Sequence, residues 1–263
     1  MTALLSVTGL TCRFGRLLAL DRVDLQLQEG ERRAVIGPNG AGKTTLVNAV
    51  TGVVRPSRGR VFLASRDVTA AGPGRRARSG VARTFQTPAL AGSLTALENV
   101  ILGLRPERRP GRQPGRWWSG GPGWRGSGGR DRRRERARRA LRTLDQLGIG
   151  GLAGIPAGRL AHGQRRLLEI AVALAARPRL LLLDEPAAGL TDADLPQLLA
   201  VLDRLSDRVT VLLVEHHLDV VTAVADTVTV LHQGRVLATD KPAVIATHPE
   251  VSEVYLGKVA GPC

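Results

Sequence analysis

Aromatic residues are scarce in this chain of 263 residues, which has three Phe, three Trp and one Tyr. Apolar residues still make up 43% of the sequence, so Leu, Val, Ala and Ile must supply most of a buried core. The sequence also lacks a run of about 20 apolar residues, the length needed to span a bilayer. Its best apolar runs, residues 180–183 and 209–214, are short and end at acidic residues, which indicates buried strands.

Cysteine is nearly absent as well. Cys12 and Cys263 lie near opposite ends of the sequence and form neither a metal-ligand spacing nor a redox spacing. Residues 1–7 contain no basic region followed by an apolar stretch, so no secretory signal is predicted. These features together favour the reducing cytosol.

Lysine is rare among the basic residues: only three of the 38 are Lys, and the formal net charge is +15. Much of the excess lies in residues 105–142, where 14 Arg face three acidic residues. Such a segment fits nucleic acid binding or proximity to anionic lipid headgroups. A solvated, Arg-rich loop and helix is the interpretation we favour.

Apolar periodicity predicts strands that alternate with helices, and this pattern is typical of an α/β fold with a largely parallel sheet covered on both faces. A segment rich in Pro, Gly and Arg, residues 105–129, shows no period and is predicted to be an insertion or linker. The predicted strands are residues 4–14, 23–27, 33–36, 59–63, 180–183, 209–214, 227–231 and 235–238. The predicted helices are residues 44–51, 131–147, 163–176, 194–205 and 218–225.

A phosphate-binding pattern stands between a predicted strand and a predicted helix. Residues 37–44, Gly-Pro-Asn-Gly-Ala-Gly-Lys-Thr, fit G-x-x-x-x-G-K-[ST]. In this pattern glycines turn backbone N–H groups toward phosphate, Lys43 reaches the β- and γ-phosphates, and the Thr44 hydroxyl binds Mg²⁺. The alternative is a turn that only joins strand to helix. The pattern alone does not distinguish an ATPase from a GTPase or a kinase.

Two carboxylates follow the apolar strand of residues 180–183. Asp184 and Glu185 stand at its carboxyl end, the edge where doubly wound sheets bind ligands. We expect Asp184 to hold a metal ion through water and Glu185 to act as general base toward a water molecule. A helix N-cap is the structural alternative, since Asp before Glu-Pro suits a helix start.

Further segments give the chain its resemblance to ABC ATPases, which extends from about residue 4 to residue 257. Residues 160–164 stand where that family has its signature sequence, and a Gly-Gln pair at a helix start presents N–H groups to phosphate. Gln86 matches the loop glutamine that senses Mg²⁺, although it could equally be an ordinary polar loop residue. His216 matches the switch histidine or caps a helix, and Phe14 is either an adenine platform or a core residue.

Two departures from the common family pattern occur. Ala161 replaces the signature serine, and residues 187–191 read Ala-Ala-Gly-Leu-Thr. Both resemble the importers of branched-chain and other hydrophobic amino acids, as do the basic insertion and the ending at residues 254–257. The urea importers resemble this chain nearly as well, and the transported solute stays open.

The resemblance implies a P-loop NTPase fold with a RecA-like core, a mostly parallel sheet, an antiparallel β subdomain and an α-helical signature subdomain. A single domain over residues 4–257 is expected. Its core and β parts would occupy residues 4–86 and 178–240. The helical part would occupy residues 87–177, including an insertion at 105–139, and C-terminal helices would occupy residues 241–257.

The resemblance also implies ATP and Mg²⁺ as cofactors, and a dimer, homomeric or with a paralogue, in which the phosphate loop of one subunit and the signature of the other grip each ATP. Lys43, Glu185 and His216 would be catalytic. Thr44, Gln86 and Asp184 would hold the metal. The nucleotide-binding positions would be Phe14, Gly37, Pro38, Asn39, Gly40, Ala41, Gly42, Lys43, Thr44, Thr45, Gln86, Leu160, Ala161, His162, Gly163 and Gln164.

Transmembrane permease subunits and, indirectly, an extracytoplasmic solute-binding protein are the remaining partners implied, at the cytoplasmic face of the inner membrane. No nucleic acid partner is expected. The rival of another class is a soluble ABC ATPase acting on nucleic acid or ribosomes, favoured only by the basic segment. A subunit with a degenerate ATP site is disfavoured by Lys43, Asp184, Glu185 and His216, and a P-loop kinase leaves the signature segment unexplained.

Overall fold

Two β-sheets organise the computed structural model, which describes residues 3–84, 89–105, 128–205 and 209–256. The first sheet has the strand order β2-β1-β4-β5 and the second has the order β10-β9-β3-β8-β7-β6. The strands are β1 (Ala3–Phe14), β2 (Leu17–Gln28), β3 (Arg32–Ile36), β4 (Arg58–Leu63), β5 (Arg66–Asp67), β6 (Val81–Arg83), β7 (Leu180–Asp184), β8 (Thr210–Val214), β9 (Thr227–His232) and β10 (Arg235–Asp240).

The helices of the described residues lie between and after these strands. They are α1 (Lys43–Thr51), α2 (Pro73–Arg78), α3 (Ala96–Gly103), α4 (Gly128–Gln146), α5 (His162–Ala175), α6 (Leu195–Asp203), α7 (Leu218–Val224), α8 (Pro242–Ala246) and α9 (Pro249–Leu256). Short 3₁₀ turns at Gly150–Leu152 and Ala157–Arg159 precede α5.

The first sheet is antiparallel throughout, with β1 paired to both β2 and β4. In β2 the burial alternates along Val23, Leu25 and Leu27, because successive side chains of a strand point to opposite faces. One face of this sheet is therefore in the core and the other faces solvent.

The second sheet is parallel except for β10, which pairs antiparallel with β9. Its central strands β7 and β8 are buried at every position, as expected for strands covered on both faces. The alternation of side chains splits β7 between two cores. Leu180 and Leu182 pack with α1 and the antiparallel sheet, whereas Leu181 and Leu183 pack with α3, α4, α5 and α6.

The α/β class, the mostly parallel sheet and the antiparallel part are thus confirmed. Each predicted strand and helix is present, with ends shifted by a few residues, and β2 begins earlier than the alternation at residues 23–27 indicated. The prediction did not include β5, α2, β6 or α3. Residues 106–127 of the predicted insertion lie outside the described residues, whereas α4 already begins at Gly128.

Candidate functional site

Three strand ends place the predicted site residues along one edge of the parallel sheet. Val35 of β3 pairs with Val214 of β8, and Val214 also pairs with Asp184 of β7. The loops that follow these strands therefore leave the sheet side by side. Since ligands of open α/β sheets bind outside the carboxyl ends of the strands, this edge is the candidate site.

The phosphate loop has the backbone conformation that its glycines make possible. Gly37 has φ +150°, and a Cβ there would lie 2.1 Å from the carbonyl oxygen of Leu231. Gly42 precedes α1 with φ +103°, and no side chain caps the N-terminus of this helix. The first-turn N–H groups of a helix have no intrahelical partner, so this start suits an anion.

Lys43 lies folded against its own loop. Its ammonium donates hydrogen bonds to the carbonyl oxygens of Gly37 at 2.6 Å and Pro38 at 3.0 Å. Burial lowers the pKa of Lys43 from its ordinary value, and attraction to the charges of Glu185 and Asp184 opposes this shift. The lysine and the two carboxylates thus share one electrostatic environment.

Asp184 ends β7 with a side chain that is 0% exposed. Its Oδ2 accepts a hydrogen bond from the guanidinium of Arg83 at 2.7 Å, and the same guanidinium donates to Oδ1 of Asn48 in α1 at 2.5 Å. Oδ1 of Asp184 has no hydrogen-bond partner among the described residues. The N-cap alternative is wrong, because turns follow Asp184 and the next helix, α6, begins only at Leu195.

Glu185 has a left-handed backbone, with φ +49°, which is uncommon for a residue with a side chain. Its N–H donates to the carbonyl of Val214 at 2.8 Å, and its own carbonyl accepts a hydrogen bond from Arg166 of α5 at 2.5 Å. Strain of this kind, of order 1–3 kcal/mol, persists only where surrounding contacts fix the backbone. The hydrogen bonds on both sides of this residue are such contacts.

His216 and Phe14 are both accessible. The His216 side chain is 50% exposed, and it is not the cap of α7, since His217 occupies that position without a capping side-chain bond. Phe14, at the end of β1, is 48% exposed, which rules out the core alternative. Gln86 lies outside the described residues.

The signature segment begins α5. Ala161 precedes the helix and has no side-chain acceptor, so only half of a capping box forms: its N–H donates to Oε1 of Gln164 at 3.1 Å. A Cβ on Gly163 would lie 2.6 Å from Oδ1 of Asp194, and one on Gly189 would lie 3.1 Å from Nε2 of His162. The signature therefore packs against the loop that follows Glu185. Within the signature segment Ala161 and His162 are exposed, whereas Leu160 is buried.

Three charged residues of this region were not identified from the sequence. Arg166 is buried and donates to the carbonyls of Asp184, Glu185 and Pro186 at 2.8, 2.5 and 3.1 Å. The other two are Arg83 and Glu215. One signal was available: Glu215 ends an apolar strand in the same way as Asp184 does.

Comparison with known proteins identifies the family. The model of the ABC transporter family matches residues 20–188, more than half of the chain. The chain belongs to the ABC transporter family. Among the relatives of this ABC protein, BraF of Pseudomonas aeruginosa, a high-affinity branched-chain amino acid transport ATP-binding protein, is 38% identical over 97% of this chain and 98% of its own length. LivG of Escherichia coli, described in the same terms, is 37% identical over the same shares.

Solved structures of ABC cassettes share the fold. The ADP conformation of MJ1267, an ATP-binding cassette of an ABC transporter, superimposes with a TM-score of 0.80 at 30% identity, covering 98% of this chain and all of that one. The dimeric structure of MJ0796, a bacterial ABC transporter cassette, gives a TM-score of 0.71 at 25% identity, over 90% and 98% of the two chains. Among the described residues of this ABC protein, none of the helices is both long and apolar enough to cross a membrane.

Proposed function

We propose that this chain is the ATP-hydrolysing subunit of an importer of branched-chain or other hydrophobic amino acids. The observation that carries the ATPase part is the alignment of three strand ends, which places Lys43, the Asp184–Glu185 pair and His216 at one edge of the sheet. The two relatives named above, similar over 97% of the chain, support the solute class.

Each site residue takes a part in hydrolysis. The N–H groups at the start of α1 and the Lys43 ammonium bind the β- and γ-phosphates, so Lys43 exchanges its present carbonyl partners for phosphate oxygens. Glu185 orients a water molecule and accepts its proton as the water attacks the γ-phosphorus in line; the bond from that phosphorus to the β–γ bridging oxygen breaks, and ADP leaves. His216, half exposed on the loop after β8, donates to the γ-phosphate and stabilises the charge that develops there. The exposed Phe14 would stack on adenine.

The residues present fit a magnesium ion. Buried, unpartnered oxygen is unusual in a folded protein, and Oδ1 of Asp184 is such an atom. Carboxylate and hydroxyl oxygens are the ligands Mg²⁺ prefers, so Asp184 and Thr44 would hold it, with Gln86 as a further ligand. A bound Mg²⁺ would neutralise phosphate charge in the transition state.

A second cassette completes each site. The signature helix α5 belongs to the core formed with α3 and α4, whereas the phosphate loop and α1 belong to the other core. We infer that residues 160–164 of one subunit bind the γ-phosphate held by residues 37–45 of the other, with Ala161 providing no hydroxyl contact. Closure of this dimer at the cytoplasmic face of the membrane would change the conformation of the attached permease subunits.

Replacing Glu185 by Gln tests the ATPase assignment. The variant should bind Mg-ATP as the wild type does but hydrolyse it at least about 100-fold more slowly, because the amide cannot accept the proton of water. Nucleotide affinity by calorimetry and phosphate release at saturating ATP would be measured. Glu31→Gln, a matched change remote from the site, should leave both unchanged. Hydrolysis at the wild-type rate in Glu185→Gln would remove Glu185 from this role.

The solute class is tested with the reconstituted transporter. We expect leucine and its binding protein, together with the permease subunits of a branched-chain amino acid importer, to stimulate ATP hydrolysis in nanodiscs severalfold. Urea with a urea-binding protein serves as the comparison. Stimulation by urea alone would assign the chain to urea import, and no permease partner at all would favour a soluble ATPase.

A further inference from the structure

Glu215, immediately after β8, is a carboxylate that the proposed chemistry does not use. Its side chain is 0% exposed, yet its two oxygens are well provided with hydrogen bonds. Oε1 accepts the N–H of Ala187 at 2.9 Å, and Oε2 accepts the N–H groups of His216 at 2.7 Å and His217 at 3.2 Å. Three N–H donors thus satisfy the hydrogen-bonding capacity of a carboxyl group that is removed from water.

These bonds connect two different catalytic loops. Ala187 stands two residues after Glu185, in the loop that carries the proposed general base. His216 stands on the loop after β8, at the other end of the same carboxylate. The backbone of Glu215 is itself tied to β3, because its N–H donates to the carbonyl of Val35 at 3.4 Å. One side chain therefore spans the space between the two loops.

The loop after β7 is held on its other side by Arg166. That guanidinium binds carbonyl oxygens of Glu185 and Pro186, whereas Glu215 binds the N–H of the next residue, Ala187. The left-handed backbone of Glu185 lies within this short segment. Since no side chain but Glu215 is seen to accept the Ala187 N–H among the described residues, its removal leaves that end of the segment without its bond.

We propose that Glu215 is a positioning residue that sets the distance between the general base Glu185 and His216. This inference rests on the proposed roles of those two residues. Because backbone N–H groups engage both oxygens of Glu215, we expect it to make no contact with the nucleotide. Lys43, which would bind phosphate, stands on a separate loop. Loss of the carboxylate should therefore slow the chemical step while ATP still binds. The carboxylate also groups with the rings of His216 and His217 within 4.8 Å, but its oxygens are already used by backbone N–H groups, so the geometry points to positioning instead of metal binding.

The test is Glu215→Gln, which keeps the size of the side chain but turns an NH₂ group toward backbone donors. We expect kcat for ATP, expressed per nucleotide-binding site, to fall about tenfold, because displacing a reacting group by about 1 Å can cost up to 100-fold. KM for Mg-ATP should change less than about twofold. Amide exchange by NMR should accelerate at Ala187 and His216 and stay unchanged in β3.

Glu31→Gln is the matched control, since Glu31 is also a shielded glutamate that accepts a backbone N–H, that of Gln28 at 2.8 Å. It should leave kcat unchanged. If Glu215→Gln does not fold, Glu215→Asp keeps the charge but shortens the reach, and it should lower kcat with KM retained. A normal kcat, or a loss explained entirely by fewer binding-competent sites, overturns the inference. Glu185→Gln is assayed in parallel: if it hydrolyses ATP normally, the proposed function fails, whereas an inactive Glu185→Gln beside a normal Glu215→Gln rejects only the positioning role.

Discussion

The buried acidic residues at the ends of β7 and β8 differ in their hydrogen-bond partners. Asp184 is the last residue of β7 and Glu215 is the first after the neighbouring strand β8, and both side chains are 0% exposed. Glu215 has partners on both oxygens: three backbone N–H groups bind them, and Nδ1 of His216 lies 3.5 Å from Oε2. Asp184 has Arg83 on Oδ2 and no partner for Oδ1 among the described residues. Burial alone thus does not separate a ligand-binding acid from an acid that fixes the backbone.

The two kinds of buried acid are distinguished by whether a carboxylate oxygen is left without a hydrogen-bond partner. A buried oxygen without a partner costs free energy, of order 1–3 kcal/mol, and is retained where something else binds it. A carboxylate with all its acceptors engaged by the backbone cannot bind a ligand without releasing that backbone. By this criterion Asp184 should hold the metal ion through a water molecule bound at Oδ1, whereas Glu215 should act only through the loops that it connects.

Of the substitutions that test this comparison, Asp184→Asn should lower ATP hydrolysis the most. The amide is a weaker metal ligand, and it leaves the guanidinium of Arg83 beside a neutral group, so we expect Mg²⁺-dependent hydrolysis to fall about 100-fold or more. The measurement is phosphate release as a function of Mg²⁺ concentration, with binding of metal-free ATP as a check that the phosphate loop is intact.

The same assay on Glu215→Gln is the control for that variant. Its Mg²⁺ dependence should match the wild type even though its rate is lower. If Asp184→Asn and Glu215→Gln shift the Mg²⁺ dependence equally, an unpartnered carboxylate oxygen does not mark the metal-binding acid at this site.

Arg166→Met addresses the other side of the β7 loop and should have a smaller effect, on stability. It removes donors to three carbonyls and the 2.7 Å ion pair with Glu169. We expect the free energy of unfolding to fall by about 3 kcal/mol. Urea denaturation measures this change.

The neighbouring arginine offers the matched control. Arg165 is exposed, and among the described residues its side chain makes one hydrogen bond, from its Nε to the carbonyl of Leu160 at 2.9 Å. Arg165→Met should therefore cost less than about 1 kcal/mol. Equal losses for the two variants would mean that Arg166 is not needed to hold the loop.

The strands and helices of the sheet could be predicted because their periodicity is local. The all-apolar run of β7 and the glycines of the phosphate loop each carry a sufficient signal within a few residues. In contrast, β6 is only three residues long, and its extended form depends on pairing with β7. The start of α3, by contrast, carries a local signal in the sequence, because Thr95 and Glu98 have the spacing of a capping box.

The predicted site was complete in its phosphate loop and acidic pair but lacked the residues that hold them. Arg166 reaches its partners across 18 to 20 residues, and Glu215 reaches Ala187 across 28. Arg83 lies 101 residues from Asp184 along the chain. Contacts of this kind leave no spacing in the sequence, because they exist only once β6, β7 and β8 are side by side.

The guanidinium of Arg166 has a consequence for signalling between the two halves of a dimer. Arg166 lies three residues after Gly163 on α5, a rise of about 4.5 Å along the helix, and its guanidinium binds the backbone carbonyl of Glu185 directly. A tilt of α5 on contact with the opposite nucleotide would therefore displace the Glu185 backbone through a single rigid group. In such a dimer, binding of ATP to one subunit would alter the position of Glu185 in the other subunit. Hydrolysis at one site would then depend on whether the other site is occupied.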